Sequence, residues 1–116
     1  MNLSLDSHGF CYIPFKKFLV IVEVPDNSEG LFIVYTKVFD LQTSAGQTRI
    51  EREKTAMRLN SLQGRMRGSS LGLDGDEVNQ FFSAPISGLS FDRMMEYMED
   101  FLQTAIEINT TLQAIR

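Results

Sequence analysis

The segment Lys17–Phe39, KFLVIVEVPDNSEGLFIVYTKVF, limits the possible folds of this chain more than any other stretch, because it reads as two strands joined by a tight turn. Phe18, Val20, Val22 and Val24 fall on one face of the first strand, Leu19 and Ile21 on the other, and Glu23 closes the alternation. In the second strand Leu31, Ile33 and Tyr35 point one way, and Phe32, Val34, Thr36 and Val38 the other. Between them Pro25-Asp26-Asn27-Ser28-Glu29-Gly30 supplies a fixed φ, side chains that close local turns, and a glycine for positive φ. Both faces are apolar at mid-strand. The hairpin therefore needs two covers, and in a short chain one of them can be a second molecule.

At 116 residues the chain is read as one domain, residues 1–116, able to bury roughly two thirds of its extended-chain surface without staples. The single cysteine, Cys11, excludes an internal disulfide and a cysteine zinc cluster and fits a reducing compartment. Set among Phe10, Tyr12 and Ile13, it is expected in the core or sheet rather than as a nucleophile. Met1–His8 has neither the basic nor the apolar region of a secretory signal. The longest apolar run, Phe18–Val22, is far short of the roughly 20 residues of a membrane helix. A soluble, cytoplasmic protein without membrane contact is expected.

The net charge of −4 is unevenly placed. Between Gln47 and Ser69 six basic residues (Arg49, Arg52, Lys54, Arg58, Arg65, Arg67) face two acidic ones (Glu51, Glu53), while the remainder is strongly acidic. A basic segment raises the question of nucleic acid. Here it has no interleaved aromatics, and the rest of the chain would repel phosphate, so a solvated face is the expected reading.

In chain order, Gly9–Phe15 is expected as a strand, with Phe10 and Tyr12 on one side and Cys11, Ile13 and Phe15 on the other. Pro14 cannot donate to a ladder, so this strand ends there or lies at an edge. An edge strand carrying Phe10 and Tyr12 can receive an extended peptide by strand addition; the alternative is that both aromatics face the core. The pattern predicts a helix over Thr48–Gln63 with Gly64 as its stop. Its apolar positions, Ile50, Met57, Leu59 and Leu62 beside Ala56, are sparse, which suits a surface or subunit-contact helix with basic residues outward. Gly68–Asp74 and Val78–Ala84 read as a second hairpin, and Pro85–Gly88 as a linker. Ser90 then caps the clearest helix, Phe91–Ala114, with Phe91, Met94, Met98, Phe101, Ala105, Ile108, Leu112 and Ile115 on one face. Met94, Met95 and Met98 are read as core, with an adaptable binding surface as the alternative.

No reactive constellation accompanies these elements. There is one histidine, His8, and Gly64-Arg65-Met66-Arg67-Gly68 lacks the spacing and the lysine-hydroxyl pair of a phosphate loop. Asp74-Gly75-Asp76-Glu77 lacks the spaced ligands of a calcium loop. Neither a metal nor a cofactor is expected, and the chain reads as a binding protein rather than an enzyme.

The element order, an α+β chain with a sheet of about five antiparallel strands (three-strand meander, helix, hairpin) against a long C-terminal helix, resembles the class I type III secretion chaperones, the Tir chaperone family. The residues that carry the resemblance are Cys11 opening a strand, the hairpin Phe18–Tyr35, Leu59-Asn60 followed by Gly68–Asp74, and Leu89–Met95 running on to Phe101–Ala105. The family normally begins with an amphipathic helix; Met1–His8 is too short and too polar to provide it, so that helix is expected to be missing. The resemblance implies an acidic homodimer that holds an apolar, extended segment of a partner (effector) protein without ATP. It also implies that Phe10, Tyr12 and Phe15 belong to the client surface, and that Met57, Leu62, Leu71 and Leu73 form the dimer contact. The alternative is a general protein-interaction adaptor of the same fold, unrelated to secretion.

Overall fold

The computed structural model describes residues 9–24 and 30–116. Met1–His8 and the expected turn residues Pro25–Glu29 lie outside the described residues. Eight elements follow in order: β1 (Phe10–Phe15), β2 (Phe18–Glu23), β3 (Leu31–Asp40), α1 (Gly46–Leu59), α2 (Gln63–Met66), β4 (Ser70–Asp74), β5 (Glu77–Pro85) and α3 (Phe91–Gln113). The strands form one antiparallel sheet in the order β1-β2-β3-β5-β4, so β1 and β4 are its edges. The expected meander, helix, hairpin and closing helix are all present, which makes the fold α+β as expected.

The alternation read from the sequence sorts the strand side chains onto two faces, and the helices cover one of them. Val20, Val22, Phe32, Val34, Thr36, Val38, Val78 and Ala84 are buried on the face that carries the helices. Against them α3 lays Met98, Phe101, Leu102, Ala105, Ile108 and Leu112, all buried. At about 1.5 to 3 kcal/mol per large apolar side chain, this contact is a principal source of stability. Ser90 caps α3 as expected, its hydroxyl accepting from the Arg93 amide at 3.1 Å. Phe91 departs from the expected stripe and is exposed. Exposure falls through half-buried Met94 to fully buried Met98, so α3 meets the sheet only in its second turn.

The middle helix is shorter than expected. It stops at Leu59, and Gly64 lies inside the short α2 rather than ending a helix. The reason is Asn60: its side chain leaves the helix to bond the main chain of Leu71 in β4, through Nδ2 to the carbonyl at 2.9 Å and from the amide to Oδ1 at 2.7 Å. The chain then turns sharply at Arg67 (φ 48°, ψ 44°) and Gly68 (φ 85°) before entering β4. Gly68 is required there, because a Cβ would come within 3.3 Å of the Phe82 ring in addition to the left-handed backbone.

Two buried side-chain amides sit inside the apolar layer. Asn109 donates to the Val38 carbonyl at 2.7 Å, next to an irregularity in the β3–β5 register. Gln80 donates to Ser69 Oγ at 3.1 Å and to the Phe101 carbonyl at 3.2 Å, tying β5 to the residue that leads into β4 and to α3.

Candidate protein-binding surface

Among the described residues, the opposite face of the sheet carries no helix. Register places Tyr12 beside Ile21, Ile21 beside Tyr35, Tyr35 beside Phe81 and Phe81 beside Ser70, so one transverse row crosses all the strands. From Tyr12 to Phe81 this row spans about 14 Å at the usual strand spacing. Tyr12 is 54% exposed and Phe81 40%, with Leu19 and Leu31 also exposed on the same face. Two ring pairs stiffen the row: Phe10 stacks on Tyr12 at 6.1 Å and Tyr35 on Phe81 at 6.2 Å. Leu19, Ile21, Tyr35 and Phe81 line a groove of about 610 Å³, with Lys17, Lys37, Asp74 and Glu77 at one end. Burial, and then the adjacent Glu23 carboxylate, push the Tyr35 phenol up from its ordinary pKa, so it remains a protonated donor at neutral pH.

This face continues onto the β1 edge. The Val24 amide donates to the Gly9 carbonyl at 2.9 Å. Antiparallel pairs alternate between bonded and non-bonded, so Cys11 and Ile13 bond inward to β2 while the N–H and C=O of Tyr12 point away from it. Pro14 presents a carbonyl but no donor. The first strand is thus an edge strand with Tyr12 on the open face, and the reading in which Tyr12 faces the core is overturned. Phe15 lies on the other face, packed against the margin of the core.

Of the residues expected at a subunit contact, Met57, Leu62 and Leu73 are 39%, 44% and 40% exposed. Ile50, at 46%, falls on the same stripe of α1 as Met57. Leu71 is 6% exposed and belongs to the core of the protomer, so its side chain is not available to a partner. Leu19, Ile21, Tyr35 and Phe81 were not singled out from sequence. The signal was present in the strand alternation and in the consecutive pair Phe81-Phe82, which must face opposite ways.

The basic segment is the outward-facing surface expected of it only in part: Lys54, Arg58 and Arg65 are exposed, whereas Arg49, Arg52 and Arg67 are half-buried. Arg49 pairs with Glu53 and Asp76, each at 2.8 Å. Arg52 donates to the Leu112 carbonyl at 3.0 Å, the Ile115 carbonyl at 2.9 Å and Ser44 Oγ at 2.6 Å, and lies over the Phe39 ring at 5.1 Å. It thereby closes the carbonyl end of α3. Arg67 pairs with Glu107 at 2.8 Å, and this bond holds the Glu107 carboxyl below the usual carboxylate range. These guanidinium groups are staples between elements. Among the described residues no cluster of three metal-ligating side chains occurs, and no helix is long and apolar enough to cross a membrane.

Scans against protein-family models and against curated proteins return no match. Solved structures do match. A chain in the crystal structure of the ExsC–ExsE complex aligns with a TM-score of 0.74 at 17% identity, over 95% of this chain and 80% of that one. A chain in the HopA1–SchA chaperone–effector complex aligns with a TM-score of 0.72 at 16% identity, over 95% and 82%. This chain has the same fold. An uncharacterized protein from Methanothermobacter thermautotrophicus is similar at a TM-score of 0.54 and 13% identity, over 90% of this chain and 88% of that one. The first two matches extend across nearly the whole chain and agree, in fold, with the resemblance read from the sequence.

Proposed function

We propose that this protein is a non-enzymatic, ATP-independent chaperone of the secretion-chaperone type, which holds an apolar, extended segment of a partner protein on the open sheet face and the adjoining β1 edge. The observation that carries the reading is the continuity of the two. A strand added beside Tyr12 would bond its main chain to the outward N–H and C=O and extend the open face by one strand, so that one of its side chains continues the row running from Tyr12 to Phe81. Main-chain bonds supply affinity for any extended segment, and the aromatic row selects apolar side chains. The neighbouring structures, a chaperone–effector complex among them, support a protein client.

A homodimer completes the proposal. Met57, Leu62 and Leu73, with Ile50, offer an apolar surface on α1 and the end of β4, away from the open face. Light scattering is expected to show a dimer, and Met57→Glu with Leu62→Glu to give a folded monomer.

The client reading is tested by identifying polypeptides that co-purify with the protein and mapping hydrogen exchange with and without each one. New protection is expected at Tyr12 and across β2, β3 and β5, and Tyr12→Pro is expected to abolish capture without unfolding the chain. Protection confined to the helices would refute it.

A further inference from the structure

We infer that the Asn60 side chain is a plug that closes the β4 edge to strand addition, and so directs an extended segment to β1. The inference rests on the proposed reading that such segments pair with this sheet. Both edges of an antiparallel sheet present outward N–H and C=O groups and can template another strand. They are treated differently here.

On β4 the outward groups belong to alternate residues, Leu71 and Leu73, with Ser69 just before the strand. Asn60 donates to the Leu71 carbonyl at 2.9 Å and accepts from the Leu71 amide at 2.7 Å. A side-chain amide carries the same donor and acceptor as a peptide unit, so this one group occupies both main-chain sites that an incoming strand would use. The Ser69 amide is taken by the Met66 carbonyl at 2.9 Å. Of these outward amide donors only that of Leu73 remains, beside the exposed carboxylate of Asp74, and a single donor cannot hold a strand.

On β1 no described side chain occupies the outward groups of Tyr12. The contrast is placed by sequence as well as by geometry. Asn60 directly follows the last residue of α1, where its weak helix preference frees the side chain to reach across to the strand.

The experiment uses the full chain. In Asn60→Ala, the Leu71 amide is expected to exchange about tenfold faster than in the parent protein. The variant is also expected to gain a concentration-dependent self-association beyond the proposed dimer in sedimentation velocity, as unplugged β4 edges pair with one another. Adding Leu73→Pro should bring the association back to that of Leu73→Pro alone, since proline deletes the remaining outward donor; that baseline is needed because Leu73 also belongs to the proposed dimer contact. Asn60→Ser, too short to reach both groups, gives the same readouts should the alanine variant fail to fold. An unchanged Leu71 exchange rate would overturn the inference. So would an exposed Leu71 amide with the parental association state, or an added association that survives Leu73→Pro. Tyr12→Pro separates this from the client reading: loss of client capture depends on β1 alone, whereas the Asn60→Ala association should persist in its presence.

Discussion

Phe81 and Phe82 are adjacent in sequence and opposite in role. Phe82 packs with Phe32 and Tyr97 at ring distances of 6.2 and 5.1 Å, under the cover of α3. Phe81 stacks on Tyr35 across an uncovered face. The same side chain thus contributes to stability on one face and offers contact area on the other. The difference lies in the supply of helices: α1 and α3 both pack on a single face, and no described element is left for the second. An apolar surface exposed in this way is where a soluble protein meets a partner.

That division of labour predicts a graded series. Phe32→Ala, on the covered face at 1% exposure, is expected to cost about 3–5 kcal/mol in urea unfolding. Arg52→Ala, which strips the end of α3 of its donors, is expected to cost about 2 kcal/mol, with Arg52→Lys recovering little because ammonium cannot reproduce the planar fork. Phe81→Ala on the open face is expected to cost under about 1 kcal/mol in stability while weakening client binding at least about tenfold. A Phe81 variant as destabilised as the Phe32 variant would erase the distinction between the faces.

The smallest effect concerns charge. Arg67 depresses the Glu107 pKa in the folded state, so the pair's contribution is fully present above the ordinary carboxylate range and is lost as pH falls through the folded value. Both side chains are about a third exposed, and screening limits the term to under about 1 kcal/mol. Glu107→Gln should therefore be slightly less stable than the parent at neutral pH and equal to it in acid. A gap that persists in acid would assign the loss to packing instead.

Strand alternation was legible because it is local: the side chains of β2 and β3 sort onto two faces by a period of two, whatever else the chain does. The long helix was legible for the same reason, through its cap at Ser90 and its apolar stripe. The end of α1 was not. Its helical pattern runs on past Leu59, and only the pull of the Leu71 main chain on Asn60 ends it. The basic segment misled in the same way, since Arg52 finds Leu112 and Ile115 sixty or more residues away.

By itself the sequence determined the element types, the sheet's doubly apolar character and the likeness to a chaperone fold, all of which follow from neighbours along the chain. Which face stays open, which edge is closed and which arginines are consumed were decided by tertiary contacts. Those depend on where distant main-chain groups come to lie, and a one-dimensional pattern carries no record of that.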